Sequence, residues 1–298
     1  MKVSVVVSAF NEEKKLDECL KSVKEIASEI IVINNSSTDK TFDIAKKYTD
    51  KVFKRENLMM LNTNKNFGFS KATSEWILNL DADERVTDEL SEEIKRLENP
   101  APDGLLIPRK NIIFGKWIEH TGWYPDYHLR LFRNGKGRFE EKHVHEKIKI
   151  EGLTDKLNNP IMHFNYENLT QFLDKMIKNY TVSEAENLIK SGYKFQGSDI
   201  FKMPISEFVT RFFLQKGYKD GMYGLSLSLL MAFYHLVVIL RVWEMLKYPE
   251  DGDTLALLKE GGETLKKEVG YWKYQIKIEE ENGLLKKNAL KFKRKVRL

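Results

Sequence analysis

Trp76-Ile77-Leu78-Asn79-Leu80-Asp81-Ala82-Asp83-Glu84 decides the reading of this chain. The run from Trp76 to Leu80 is apolar and bounded by polar residues, the pattern of a buried strand. It hands two carboxylates, one residue apart, to its C-terminal end, which in open α/β sheets is where ligands bind. Two hard oxygen donors there suit Mg²⁺ or Mn²⁺ carrying a diphosphate, because these ions favour carboxylates together with phosphate oxygens. An isolated Asp-x-Asp is equally at home in a solvated loop or at a helix N-cap, so the flanking sequence has to decide.

Upstream, strand and helix patterns alternate. Val3 to Ser8 is apolar and β-branched; Asn11-Glu12-Glu13 then opens a helix with Leu16, Leu20, Val23 and Ile26 on one face. Glu29 to Ile33 reads as a second strand, and the polar turn Asn34 to Asp39 supplies caps for a helix through Ala45. Val52-Phe53 is a short strand, Lys65 to Ser74 a further helix, and Thr87 the N-cap of a helix reaching Leu97. This alternation predicts an α/β, Rossmann-like fold with a mostly parallel sheet and right-handed crossovers. From Gly104 to about Phe164 the short β-prone pieces Leu105 to Pro108, Leu129 to Phe132 and Lys147 to Ile150 predict an antiparallel completion. Helical patterns follow from Asn168. The expected division is a nucleotide-binding domain over 1–165, a helical membrane-proximal region over 166–249 and a charged helical tail over 250–298.

Composition bounds the class. A chain of 298 residues, 42% hydrophobic and 31% charged, holds a sizeable globular core with a well-solvated surface. The single Cys19 excludes an intrachain disulfide and a cysteine-based zinc site. The apolar run at Val3 to Val7 is too short for a signal peptide, so the expected location is the cytoplasm, peripheral on the cytosolic face of the cell membrane. Net charge is only +5, but the last thirteen residues hold seven Lys or Arg and no acid. Leu225 to Leu240 is a mostly apolar run of sixteen residues, short of the roughly 20 that span a bilayer. It is flanked by Phe212, Phe213, Tyr223, Arg241 and Trp243, as interfacial helices are. An anionic membrane surface is therefore an expected partner. Homo-oligomerisation through the helices stays open, and no nucleic-acid-binding motif accompanies the basic tail.

Val5-Val6-Val7-Ser8-Ala9-Phe10-Asn11-Glu12-Glu13, Ser36-Ser37-Thr38-Asp39-Lys40-Thr41, Lys65-Asn66, Trp76 through Glu84, Gly122-Trp123-Tyr124-Pro125-Asp126, Arg130-Leu131-Phe132-Arg133 and Val144-His145-Glu146 together resemble the inverting family-2 glycosyltransferases of GT-A fold. Within them the chain resembles the lipopolysaccharide inner-core biosynthesis branch, from Lys2 to about Glu244. Lys216 to Gly221 matches that branch's membrane-proximal turn.

The resemblance implies that Ser8, Phe10 and Glu12 hold the nucleoside of a nucleotide-sugar donor. Phe10 is suited to stack on a base. Asn34, followed by Asn35, stands where many relatives carry an Asp after the second strand, which leaves the usual uridine preference open, since an amide can both accept and donate. By resemblance Asp83 binds Mg²⁺ or Mn²⁺ directly, Asp81 lies nearer the ribose or reaches the ion through water, and Lys65 and Asn66 approach the donor phosphates or sugar. Arg130 and Arg133 are candidates for binding the diphosphate or an anionic acceptor, unless strand alternation turns one of them to solvent. His145 is a candidate third metal ligand. Inverting transfer is one in-line displacement, so a carboxylate must take the acceptor's proton. Asp126 and Glu146 are the candidates, with Asp126 favoured. Trp117, Trp123, Tyr124 and Tyr127 line an acceptor cleft or simply pack loops.

The resulting expectation is a metal-dependent inverting glycosyltransferase moving a hexose to a lipid-linked or lipopolysaccharide core sugar. A polyprenyl-phosphate or protein acceptor is the enzymatic alternative, and a non-catalytic nucleotide-sugar-binding scaffold is the alternative of another class.

Overall fold

Val5, Val7, Leu78 and Leu80 point to one side of a sheet and Val6 and Ile77 to the other, and both sides are buried in the computed structural model of the chain. The structure describes residues 1–58, 61–97, 102–141 and 146–296. It divides into two compact units, Met1–Trp117 with Trp123–Tyr166, and Ile118–Gly122 with Glu167–Leu298.

The first unit begins β1 (Val3–Ala9), α1 (Leu16–Ser22), β2 (Ala27–Asn34), α2 (Thr41–Lys46), β3 (Val52–Lys54), α3 (Leu61–Ser70), β4 (Trp76–Asp81). β1 lies between β2 and β4 and runs parallel to both. A strand covered on both faces carries an unbroken apolar run, which is why Val5-Val6-Val7 does not alternate with polar residues. α1 supplies Leu16 and Leu20 to one layer. α3 supplies Phe69 to the other, where its ring meets Phe132 edge to face. Gly68 permits that approach, since a Cβ there would sit 2.5 Å from Val6 Cγ1.

The chain continues through β5 (Glu84–Val86), α4 (Asp88–Lys95), β6 (Gly104–Ile113), β7 (Lys116–Trp117), β8 (Asp126–Arg133), β9 (Gly137–Arg138), β10 (Lys149–Ile150), β11 (Thr154–Lys156) and β12 (Ile161–Tyr166). Thr87 Oγ1 accepts from Leu90 N at 3.2 Å, the expected cap of α4. The main sheet runs β3-β2-β1-β4-β8-β6-β12-β5. β8 is antiparallel to β4 and β6, while β12 is parallel to β6. The mixed α/β class is therefore as the resemblance implies. Two boundaries differ. α3 starts at Leu61 rather than Lys65, because Asn62, Thr63 and Asn64 are weak helix formers that hide its first turn. β6 runs to Ile113, its second half disguised by the polar Arg109-Lys110-Asn111.

The second unit is helical: α5 (Leu169–Lys175), α6 (Thr181–Lys190), α7 (Asp199–Val209), α8 (Met222–Met245), α9 (Thr254–Glu280) and α10 (Leu284–Val296). A π-helical turn at Met176–Tyr180 leaves the Ile177 carbonyl to accept from Arg241 Nη2 at 2.7 Å. The Lys216–Gly221 motif forms a 3₁₀ turn whose Asp220 holds His120, through N at 2.9 Å and Nδ1 at 3.0 Å. α8 corrects the sequence expectation: its 24 residues exceed the sixteen-residue apolar run, because Tyr223, Arg241 and Glu244 interrupt the hydropathy without ending the helix. Among the described residues it is the one helix long and apolar enough to cross a membrane, and 33% of its most apolar window is buried within the chain. The segment after residue 250 does not simply project. Gly261 of α9 lies against Phe201 of α7, and Trp272 stacks on Phe213 at 5.8 Å.

Candidate active site

The parallel register of β1 and β4 sets Ser8 beside Asp81, and that of β1 and β2 sets Ala9 beside Asn34. Three strand ends and the loops after them thus meet at one edge of the sheet, around the point where the strand order changes direction.

The loops after β1 and β2 are tied together before any ligand arrives. Asn11 Oδ1 accepts from Thr38 N at 2.9 Å, and Asn11 N donates to Ser37 Oγ at 3.0 Å. Glu12 N donates to Thr41 Oγ1 at 2.8 Å, and Glu13 N to Asp39 Oδ2 at 3.1 Å. Asn11 and Ser36 hold left-handed backbone, with φ of 53° and 58°. Phe10 is 41% exposed on this rim, an open aromatic face. Asn34 is buried, and its Oδ1 accepts from Ser37 N at 3.0 Å. Asn35 donates to Ser8 Oγ at 2.9 Å and accepts from Asn64 Nδ2 at 2.7 Å. Both amides are buried and brace the strand ends and the loops after them from within.

Asp81 is clasped on both oxygens. Lys65 Nζ from α3 lies 2.5 Å from Oδ1, and Arg130 Nη2 from β8 lies 2.7 Å from Oδ2. Arg130 Nη2 also reaches Glu84 Oε1 at 2.5 Å, and Glu84 Oε2 accepts from Asp81 N at 2.9 Å. Burial alone would push the Asp81 carboxyl up, but the Lys65 and Arg130 charges hold it well below the usual range. Burial likewise opposes the Arg130 charge, and Glu84 and Asp81 outweigh it, so the guanidinium stays cationic. Arg133, three residues on, turns to the other face and pairs with Glu75.

Asp83 is placed differently. β12 pairs with β5 so that His163 opposes Glu84, and Phe164 N donates to Asp83 O at 2.9 Å. This brings His163 Nε2 to 3.6 Å from Asp83 Oδ2. The ring's Nδ1 lies 2.7 Å from Asn111 Oδ1, and Asn111 Nδ2 donates to the Trp123 carbonyl at 2.6 Å. That second bond fixes the amide with its oxygen toward the ring, so Nδ1 carries a proton. In the neutral ring, Nε2 keeps its lone pair facing Asp83. Burial pushes the Asp83 carboxyl up, and His163 pulls it down when the ring is protonated and Nε2–H faces the carboxylate, with a lowered value as the net result.

An Mg²⁺ or Mn²⁺ ion fits this pair. Donors at bonds of about 2.1 Å in one coordination shell lie roughly 3–4 Å apart, which brackets the 3.6 Å separation. Among the described residues no group of three or more His, Cys, Asp or Glu side chains is placed to hold a metal ion, so the pair is two donors of a shell whose further positions suit diphosphate and water. Asp81, with both oxygens already paired, is not one of them here. His145 lies outside the described residues.

Asp126 begins β8 directly across from Arg109 of β6. Arg109 grips Oδ2 with Nε at 3.0 Å and Nη2 at 2.5 Å, and His128 Nε2 lies 2.9 Å from Oδ1. Burial raises the Asp126 carboxyl, but His128 and Arg109 together hold it well below the usual carboxylate range. Burial also lowers His128, against the pull of Asp126. Arg109 Nη1 is 3.8 Å from Glu84, so charges alternate from Lys65 through Asp81, Arg130, Glu84 and Arg109 to Asp126. Glu146 stands apart from this chain, accepting from Asn62 Nδ2 at 3.1 Å and Glu141 N at 2.6 Å. The aromatics make separate contacts: Trp117 meets Tyr124 at 5.5 Å, Trp123 meets Tyr166 at 6.3 Å, and Tyr127 receives Lys156 at 4.5 Å.

Sequence reading missed His163, Asn111, Arg109 and His128. A histidine in the extended pattern Ile161-Met162-His163-Phe164 was the available signal for the first.

Against known proteins, the family model described as Glycosyl transferase family 2 matches residues 4–152. An uncharacterized glycosyltransferase of Rickettsia typhi is 26% identical over 257 residues, covering 82% of this chain and 87% of that protein. The lipopolysaccharide core biosynthesis glycosyltransferase LpsC of Rhizobium meliloti is 25% identical over 250 residues, covering 81% and 92%. Among solved structures, S. aureus TarS residues 1–349 align at 19% identity and a TM-score of 0.41, over 63% of this chain and 66% of that one.

Proposed function

Because the chain belongs to glycosyl transferase family 2, we propose that it moves a hexose from a UDP-sugar to a lipid-linked or lipopolysaccharide core sugar, by metal-dependent inverting displacement. The observation that carries this reading is the Asp83–His163 pair beside the strand-end cradle of Ser8, Asn35 and Asp81. The name of the LpsC relative supports a glycolipid acceptor.

In this reading the exposed Phe10 ring stacks on the base, and Ser8, braced by Asn35, meets the nucleoside's polar edges. Asp83 and His163 would hold Mn²⁺ or Mg²⁺, which when bound neutralises the charge growing on the departing diphosphate. Lys65 and Arg130 keep Asp81 ionised and oriented toward the ribose. Asp126 takes the acceptor hydroxyl's proton, aimed by Arg109 and His128. Its depressed basicity lowers the driving force for that transfer, so orientation rather than proton affinity is its contribution.

A panel of UDP-, GDP-, ADP- and CMP-sugars, assayed with Mn²⁺ and with chelator, tests the reading. Expected is metal-dependent release of UDP from one donor. Binding without turnover under every acceptor condition would favour a nucleotide-sugar-binding module, and no binding at all would remove the donor assignment.

A further inference from the structure

The last described helix, α10, leaves an apolar stripe outward, flanked by exposed lysines, and packs by its half-buried Lys287, Leu290 and Arg294. The Arg294 guanidinium sits 4.9 Å from the centre of the Tyr271 ring of α9 and bonds Gln275. At 100° per residue, the side turned away from that contact carries Leu285, Ala289 and Phe292. Leu285 is 87% exposed and Phe292 69%. Lys286 and Lys293 border one edge of this stripe, and Lys295, with Lys291 behind it, borders the other. All four are exposed. Counting Lys287 and Arg294, α10 holds six basic residues and no acid.

A surface helix of a soluble domain ordinarily buries its apolar stripe, so this arrangement needs an occupant. Charge complementarity calls for an anionic one. A nucleic acid would satisfy the lysines but give Leu285 and Phe292 nothing apolar to enter. The interface of an anionic bilayer satisfies both, taking the apolar stripe among the acyl chains while the lysine stems reach up to lipid phosphates. Exposed Leu229 and Phe233 of α8, and Leu255, Leu258 and Leu265 of α9, add apolar surface within the same unit.

We propose that α10 is a membrane-docking helix which seats Leu285, Ala289 and Phe292 in the interface of an anionic bilayer. This inference does not rest on the transferase reading, and its test needs neither donor nor acceptor.

The full chain is sedimented with phosphatidylglycerol/phosphatidylcholine vesicles and with pure phosphatidylcholine vesicles, at low and high salt. Binding is expected on the anionic vesicles only, weakening as salt rises. Lys286→Gln/Lys293→Gln/Lys295→Gln should lose about fivefold per lysine, about a hundredfold together. Leu285→Glu/Phe292→Glu should lose at least tenfold, with helix content by circular dichroism unchanged. The proposal is overturned if the wild-type chain stays in solution with anionic vesicles, or if the Glu pair binds them as well as wild type. It is overturned equally if the Glu pair converts a dimer to a monomer with no change in vesicle binding, which would assign the stripe to a second copy. Vesicle binding that the lysine triple leaves intact, alongside lost binding to duplex DNA, also overturns it.

Discussion

His163 Nε2 faces Asp83 Oδ2 across 3.6 Å, and Asn111 is what points the ring that way. The amide of Asn111 is itself fixed by the Trp123 carbonyl, so the orientation passes through two hydrogen bonds. Partners of this kind typically set metal affinity by 10–100-fold. Asn111→Leu should therefore weaken Mn²⁺ binding by about 10–100-fold while leaving both candidate ligands present. Manganese titration by calorimetry checks it, and unaltered affinity would mean that the ring needs no such support.

Arg130 holds two carboxylates, Asp81 and Glu84; the guanidinium and Glu84 are almost completely buried, while Asp81 is partly exposed. Removing one member of such a group leaves uncompensated buried charge and costs about 3–5 kcal/mol. Arg130→Ala should lower unfolding free energy by that amount in urea. Arg130→Lys, lacking the planar fork, should recover only part of it. A loss under about 1 kcal/mol would show that water screens the site.

Asp126 and Glu146 make opposite predictions in kinetics. If Asp126 takes the proton, Asp126→Asn should lower kcat by about 10²–10⁴-fold with donor affinity little changed. Glu146→Gln, which keeps the shape accepting from Asn62 and Glu141, should then lower kcat by less than about tenfold. The reverse ranking moves the base to Glu146. His128→Asn should act through Asp126, lowering kcat less than Asp126→Asn does and altering the pH profile.

Glu29 ties β2 to the start of β4. It accepts from Ser4, Lys51, Thr73 and Ser74. Burial pushes its carboxyl up, but the bonds from Lys51, Ser4 and Thr73 bring it down from 4.5 to about 2. A lowered folded value means that the carboxylate's contribution is fully present above about pH 4.5. It is lost as pH falls toward about 2. At neutral pH Glu29→Gln should cost about 2–3 kcal/mol, and the gap to wild type should close as acid unfolding is approached. Urea unfolding at several pH values reads this, and a gap independent of pH would contradict it.

How much of this was legible in the sequence depends on range. The strand patterns at Val3, Glu29 and Trp76 and the Thr87 cap are local, set by apolar runs and capping chemistry, and they folded as read. The Asp81-Ala82-Asp83 motif was visible, but the distinct surroundings of its two carboxylates were not. Asp81 is filled by Lys65 and Arg130, which lie 16 and 49 positions away in sequence, and Asp83 meets His163 across 80 positions. Only the pairing of β12 with β5 makes that last contact, and nothing within either segment specifies it. The outward stripe of α10 was half legible: the basic run was plain, but which side packs on α9 required the helix to be in place.

Manganese and donor binding in wild type, Asp83→Asn and His163→Ala most directly test the central claim, that Asp83 and His163 together hold the ion that carries the donor diphosphate. Wild type should bind Mn²⁺, more tightly with UDP present. Each single variant should lose at least tenfold in Mn²⁺ affinity and lose metal-dependent UDP release, while unfolding with unchanged cooperativity. Full Mn²⁺ affinity and turnover in His163→Ala, or in Asp83→Asn, would contradict the account.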